Sequence, residues 1–294
     1  METANPIIRR ATILFLVFVA AFSHAAQTFT IATYNVDTYL DQPTASRPHA
    51  KTPEAKAKVR DVICAMNPDV IALEEMGTTN ALLELRASLK DKGEDFPYWE
   101  YVEGWDTNIH VAVLSKYPIV ARHPHTNDEF LLDAKRFRVS RGIAELEIQP
   151  APGLAFTLIA VHLKSKVPDS GADPNEQRFE EAKIVRQIID DHLKADPEAL
   201  LVVVGDFNDE KDSDSVREII GRGKLKLVDT RPAERNGDSA TYKPSYNEPR
   251  NVTWTYFYGK DDTYSRIDYI LLSPAMAQHW HKDETYVATV PNWG

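Results

Sequence analysis

The sequence predicts a layered α/β domain built on mixed β-sheets, and three observations carry that prediction. Apolar strand-like runs alternate with amphipathic helical stretches, strands outnumber helices, and several strands follow one another with no helix between them. Directly consecutive strands pair antiparallel, so a purely parallel doubly wound sheet does not fit. No repeat, low-complexity tract or interdomain linker divides the 294 residues, and a single domain over 27–294 is expected.

The elements follow in order. Ile31 to Val36 is a short β-rich run. Thr52-Pro53 supplies a helix cap and a proline at the first helical position, Ala55, Val59, Val62, Ile63 and Met66 share one helical face, and Asn67-Pro68 stops the helix. Asp69 to Leu73 reads as a buried strand, and Leu82, Leu83, Leu85 and Leu89 as a second helix closing near Gly93. Strand-like runs at Ile109–Ser115, Gly142–Ile148 and Ala155–Leu163 come next. Asp173-Pro174-Asn175-Glu176 resembles a capping box and opens the longest helix, with Phe179, Ala182, Val185, Ile189 and Leu193 turned inward. Leu200 to Val204 is a fully apolar strand, and Trp254–Tyr258 and Ile267–Leu272 are the last two.

Composition bounds the function. With 43% hydrophobic and 27% charged residues the chain is neither collagen, coiled coil nor wholly disordered. Thirty-four Lys and Arg against 44 Asp and Glu give a net charge of -10, which excludes a duplex-packaging protein but not an enzyme whose cleft is lined by a cation. Residues 1–25 read as a signal peptide: Arg9 and Arg10 precede an apolar run from Ala11 to Phe22, and Ser23-His24-Ala25 offers small residues for cleavage. The run is shorter than the roughly 20 apolar residues of a membrane span, an uncleaved anchor being the alternative. The expectation is an exported monomer, periplasmic or secreted, with no stable membrane association. Cys64 stands alone and reads as an inert structural thiol.

Chemistry gathers where apolar strands end. Ile31-Ala32-Thr33-Tyr34 ends in Asn35 and Asp37, Val70-Ile71-Ala72-Leu73 in Glu74 and Glu75, and Leu158-Ile159-Ala160-Val161 in His162. Val202-Val203-Val204-Gly205 ends in Asp206 and Asn208, and Asp268 sits inside an apolar strand. Any one of these is explained by a turn, a cap or a hydrogen-bonded core residue. Together they favour one converging acidic site, and crowded carboxylates call for a cation such as Mg²⁺, held by one or two of them plus water and phosphate oxygens. No His/Cys grouping with zinc spacing, no Gly-rich phosphate loop and no Gly-x-Ser-x-Gly elbow is present.

Taken in order, Tyr34-Asn35-Val36-Asp37, Ile71-Ala72-Leu73-Glu74-Glu75, Val161-His162-Leu163-Lys164-Ser165, Gly205-Asp206-Phe207-Asn208-Asp209 and Arg266-Ile267-Asp268-Tyr269-Ile270-Leu271 resemble the endonuclease/exonuclease/phosphatase superfamily, the deoxyribonuclease I-like proteins. Ala112-Val113-Leu114-Ser115-Lys116-Tyr117-Pro118-Ile119 resembles a further segment of it. The resemblance implies a four-layered α/β sandwich, two mixed β-sheets face to face with helices outside. It implies Glu75 as principal Mg²⁺ ligand (Mn²⁺ being an alternative), with Asn35 and Asp37 completing the metal site. Asp206 would orient or deprotonate the attacking water, Asn208 would hold a phosphate oxygen, and His162 would contact the scissile phosphate. Asp268 would orient a histidine, and Arg141 is a further phosphate contact or else a surface ion pair.

The resemblance also calls for a terminal Ser-Asp-His strand that this sequence does not contain. A truncated sequence is the expectation, because Asp268 is kept although its usual partner is missing. His279 and His281 come too soon to replace it and read as exposed loop residues. The implied activity is a Mg²⁺-dependent phosphoric ester hydrolase, a phosphodiesterase or endonuclease in the first place, with nucleic acid among its substrates. A phosphomonoesterase acting on a small or lipid phosphate and a non-catalytic binding protein are the alternatives. Tyr242, Tyr246, Trp254, Tyr256, Phe257, Tyr258 and Tyr264 form an aromatic-rich region, read as sheet packing before base stacking.

Overall fold

Local chemistry starts the helices where the sequence places them. Thr52 Oγ1 accepts from Ala55 N (3.2 Å) to cap α1 (Pro53–Met66), and Asn67 closes it in a left-handed conformation. Thr78 caps α2 (Thr79–Lys90), and Asp173 accepts from both Asn175 N and Glu176 N to cap α3 (Pro174–Ala195). Each such cap stabilises its helix by about 1 kcal/mol. The short α4 (Asp214–Ile220), capped by Ser213, was not apparent from periodicity because seven residues carry too few apolar repeats.

The computed structural model describes residues 28–168, 171–234 and 254–288, so the leader-like segment and Tyr242 and Tyr246 lie outside the described residues. Its strands in chain order are β1 (Ile31–Tyr39), β2 (Val70–Met76), β3 (Tyr98–Val102), β4 (His110–Ser115), β5 (Ile119–Arg122), β6 (Glu129–Leu132), β7 (Lys135–Arg138) and β8 (Ala144–Ala151). They continue with β9 (Leu154–His162), β10 (Leu201–Asp206), β11 (Val228–Asp229), β12 (Ala233–Glu234), β13 (Tyr256–Tyr258), β14 (Thr263–Ser265), β15 (Asp268–Leu272) and β16 (Tyr286–Val287). One sheet has the order β1-β2-β4-β3, the other β11-β15-β10-β9-β8-β5. Both are mixed: β1–β2 and β9–β10 run parallel, while β2–β4, β8–β9 and β10–β15 run antiparallel.

Three apolar layers hold these parts together. Ile71, Leu73 and Leu114 pack with Val59, Ile63, Leu82 and Leu85 of α1 and α2. Ile159, Val203 and Leu271 pack with Val185, Ile189 and Val216 of α3 and α4. Between the sheets, Val70, Ala72 and Val113 meet Leu158, Ala160, Val202 and Val204. The result is the expected four-layered sandwich with helices outside. Where two backbones crowd, side chains vanish: a Cβ on Gly205 (φ +136°) would lie 1.9 Å from Val161 O, so only glycine lets β10 pair with β9 beside the site.

One expectation fails. Trp254, Tyr256, Phe257, Tyr258 and Tyr264 are not sheet packing: β13 and β14 form a separate two-stranded hairpin on which all five rings are exposed. Phe257 stacks on Tyr264 (centroids 4.6 Å), so the rings pack on one another rather than on the core. His279 and His281 are exposed, as expected.

Candidate active site

Strand parity explains why polar side chains from five strands meet. Along β2, Val70 and Ala72 enter the inter-sheet core and Ile71 and Leu73 face the helices, so Glu74 is next in the inter-sheet row. By the same alternation Ile31 leads to Thr33 and Asn35, Leu158 and Ala160 to His162, Val202 and Val204 to Asp206, and Leu272 and Ile270 back to Asp268. Pairing sets them level: Asn35 lies opposite Glu74, and His162, Asp206 and Asp268 form one row across three strands. The apolar seam between the sheets therefore ends in a polar row.

Asp206 is its centre. Asn35 Nδ2 donates to Asp206 Oδ2 (3.0 Å) and to Glu75 Oε1 (3.3 Å), bracing two carboxylates, while Asn208 N donates to Asp206 Oδ1 (2.7 Å). Burial, and then the charge of Glu75, push Asp206 up to about 6 against the opposing pull of Asn35, Asn208 and Arg141. His162 Nε2 is 3.9 Å from Asp206 Oδ2 and its buried Nδ1 has no partner. Burial, aided by Arg141 and Arg47, holds this imidazole well below its usual range, so it is neutral at pH 7. Asp268 is half-buried with Oδ1 sealed from solvent and unpartnered, and burial and the Asp206 charge raise it well above the usual carboxylate range.

Glu75 reaches this group through a local break in the strand. Plain alternation would aim it at α1 and α2, but the β2–β4 register shifts between Leu73 and Met76 and Glu75 adopts φ +63°. Its Oε2 then accepts from Thr38 N (2.9 Å), itself in a left-handed stretch with Asp37. Asn208 is left-handed too, at φ +53°. Non-glycine residues held in this region cost about 1 kcal/mol or more each, and their gathering here marks a built site.

The remaining predicted residues divide. Asn208 Nδ2 and Arg141 Nη1 both donate to Leu163 O (3.0 and 3.3 Å), which places them side by side. Arg141 is buried, not a surface ion pair; its Nη2 lies 3.7 Å from Asp106 Oδ2 and its Nε has no partner. Asp37 stands apart: its carboxylate is 92% exposed, 3.6 Å from Lys51 Nζ, and only its backbone N–H enters the site, donating to Asn35 Oδ1 (2.9 Å). Its contribution here is to fix the Asn35 amide.

Sequence reasoning assigned no role to several residues now seen around the site. Glu74 is fully buried, takes a bond from Thr33 Oγ1 (2.8 Å), and is raised well above its usual range by burial first and by Asp268 second. Thr255 Oγ1 accepts from Ile267 N and Asp268 N (both 3.2 Å) and roots the aromatic hairpin at Asp268. Next along it is the exposed Tyr256, which those bonds set beside the Asp268 end of the cleft; its hydroxyl is raised by burial first and then by Tyr258, Asp206, Glu75 and Asp37. Parity along β1 and β2 could have flagged Thr33 and Glu74; nothing local flags Thr255 or Tyr256.

A model of the Endonuclease/Exonuclease/phosphatase family matches residues 32–286, spanning every strand that supplies the site. The chain belongs to this family. Solved structures share its fold at low identity. A β-hairpin deletion mutant of beta toxin from Staphylococcus aureus is 18% identical, covering 91% of this chain and 97% of that one, at TM-score 0.55. A mannosyl-6-phosphatase from Bacteroides thetaiotaomicron is 18% identical over 84% and 86% (TM-score 0.53), and sphingomyelinase C from Streptomyces griseocarneus is 18% identical over 84% and 84% (TM-score 0.52). Comparison with curated protein sequences finds no match.

Endonuclease/exonuclease/phosphatase enzymes hydrolyse phosphoric esters and generally use divalent cations. Among the described residues no three His, Cys, Asp or Glu side chains are disposed to hold an ion by themselves. The donor set nevertheless fits a hard, mostly hydrated cation, which needs only one or two carboxylates. Glu75 and Asp206 lie close enough to share one amide, and the Glu75 charge pushes Asp206 upward, so a cation held at Glu75 would offset negative charge already crowded there.

Proposed function

We propose that this protein is an exported Mg²⁺-dependent phosphodiesterase that cleaves phosphate diesters with an activated water. The observation that carries the reading is the bracing of Glu75 and Asp206 by one Asn35 amide, with His162, Asn208 and Arg141 on the same cleft edge. Export rests on the sequence of residues 1–25 alone.

Glu75 would hold the cation, with Asn35 bracing it; when bound, Mg²⁺ supplies positive charge to the phosphoryl oxygens. Asp206, which burial raises above the usual carboxylate range, would take a proton from water more readily than an ordinary carboxylate. The neutral His162 ring can donate to a phosphate oxygen without adding charge. The buried Arg141 guanidinium shares the Leu163 carbonyl with the Asn208 amide, so it would set positive charge beside the amide that takes a phosphate oxygen. The exposed Tyr256 on the rim supports a substrate with an organic group on each side of the phosphate.

A second reading, a phosphomonoesterase, is favoured by the net charge of -10, which suits a small substrate better than a polyanion. The experiment compares bis(p-nitrophenyl) phosphate with p-nitrophenyl phosphate, with Mg²⁺ and with EDTA, in wild type and Glu75→Ala. Diester cleavage that needs Mg²⁺ and falls at least about 100-fold in Glu75→Ala is expected. Hydrolysis that survives EDTA or the substitution overturns the metal reading, preference for the monoester promotes the second, and silence on both esters supports a binding protein.

A further inference from the structure

The inward face of α3 changes character along its length. Past its second turn it is apolar (Ala182, Val185, Ile189, Leu193) apart from Arg186, which is buried against the Ile219, Ile220 and Leu225 carbonyls, whereas its first two turns bury Arg178 and Glu181, both fully inaccessible to solvent. Buried charges are expensive, and well-packed apolar residues would serve stability equally well or better, so their placement at one end calls for another reason.

Their partners supply it. Glu181 Oε1 accepts from Ser140 N (2.7 Å) and Ser140 Oγ (2.6 Å), and Oε2 accepts from Lys164 N (2.6 Å). Arg178 Nη1 donates to Lys164 O (3.0 Å), and its Nε donates to Asp209 Oδ2 (3.0 Å). Residues 178 and 181 lie one helical turn apart, so α3 grips Lys164 at both backbone ends, N–H by the acid and C=O by the base. The residue before Lys164 is Leu163, whose carbonyl takes both the Arg141 and the Asn208 bonds, and the residue before that is His162. Ser140 directly precedes Arg141, and Asp209 directly follows Asn208.

We propose that Glu181 and Arg178 are positioning residues: together they lock the three backbone segments that present Arg141, His162 and Asn208 to one phosphate. This rests on the phosphodiesterase reading only for what is bound there. Neither side chain touches substrate. The close approach of a second loop keeps the first segment in place, since a Cβ on Gly104 would lie 2.4 Å from Gly142 N.

The test uses Glu181→Gln in the full chain. Gln keeps the shape but turns an NH₂ toward either the Ser140 donors or Lys164 N–H, pushing one segment away. With bis(p-nitrophenyl) phosphate, kcat is expected to fall about 10- to 100-fold, the range that a displacement of about 1 Å produces. In the Arg141→Ala background the same substitution should cost clearly less than in wild type, because one of the two groups it positions is gone and only the loss through the His162 segment remains. Arg178→Lys, which loses the forked geometry, should behave likewise in the Asn208→Ala background. Val185→Ala loosens the same helix without touching these bonds and controls for stability alone. Full additivity in both cycles, or an equal loss in Val185→Ala at matched melting temperature, overturns the proposal.

A second measurement separates its failure from failure of the hydrolase reading. The ¹⁵N spectra of Arg141 Nε and the His162 ring report the segments without turnover. Glu181→Gln should shift or broaden both while Val185→Ala leaves them, whether or not either ester is cleaved. If Glu181→Gln does not fold, Ser140→Ala, which removes one bond, replaces it with a smaller shift expected at Arg141. Unchanged Arg141 and His162 signals sink the proposal even in an active enzyme.

Discussion

Removing one buried carboxylate away from the active site should take out the share of the protein's pH-dependent stability that its histidine cluster supplies. Glu145 on β8 ties three elements together: Oε2 meets His125 Nε2 (2.9 Å) on the loop after β5, and Oε1 meets His192 Nε2 (3.0 Å) on α3. Asp128 Oδ2 faces the other nitrogen of His125 (2.8 Å), and Asp191 adds a weaker field at His192. Burial works to raise Glu145, but the two imidazoles outweigh it and bring the carboxyl down to about 2. Both histidines move up, chiefly through their bonds to Glu145.

The signs fix the window. A depressed carboxyl contributes stability above its ordinary value of about 4.5, lost as pH falls toward 2. Raised histidines contribute fully below about 6.5, and the contribution drains away as pH climbs through their folded-state values. The cluster therefore stabilises most between about pH 4.5 and 6.5. The carboxyl's displacement sets a ceiling of about 3 kcal/mol; water reaching the half-buried imidazoles reduces that to about 1.5–2. For a chain of this size that is a drop of about 3–8 °C in melting temperature. Calorimetry of wild type and Glu145→Gln at pH 5.5 and 8.5 should find the difference large at 5.5 and at most half as large at 8.5. Equal differences at both pH values would refute the reasoning.

Three further outcomes follow from packing and exposure. Gly205→Ala would drive a methyl to within 1.9 Å of Val161 O at φ +136°, and should cost more than about 3 kcal/mol, read as loss of soluble, cooperatively melting protein. Thr33→Val takes away the hydroxyl that donates to buried Glu74 Oε1 and should cost about 1–3 kcal/mol in urea unfolding; no measurable change would mean Glu74 finds another donor. Tyr256→Ala should leave the melting temperature within about 2 °C because the ring is exposed, yet raise KM for diesters with aromatic leaving groups at least about 3-fold. An unchanged KM would remove the ring from the substrate's path.

The candidate site was legible in sequence to an uneven degree, and the unevenness has physical causes. Asn35, Glu75, His162, Asp206, Asn208 and Asp268 each follow or interrupt an apolar strand, and a charge at the end of a buried run announces itself. Asp37 looks identical in sequence, but the left-handed turn at residues 37 and 38 sends its carboxylate to solvent. Arg178 and Glu181 sit among charged neighbours in a helix that also shows charges outward, so periodicity could not mark them as buried. The hairpin aromatics misled for the opposite reason: a run of Tyr, Trp and Phe has the composition of a core strand, yet among the described residues β13 and β14 pair only with each other and leave the rings exposed.

By itself, then, the sequence determined β1, β2, β4, β8, β9, β10 and β15, the three longer helices, the mixed sheet class and the residues at those strand ends, because alternation, caps and prolines act within a few residues; the short strands carry too few residues to show a period. Only the tertiary structure decided which way Glu75 turns, that Arg141 is buried beside Asn208, and that α3 grips the Lys164 peptide. Those arrangements depend on bonds between residues 14 to 45 positions apart, and their partners are chosen by how the elements pack and register, which no local pattern records.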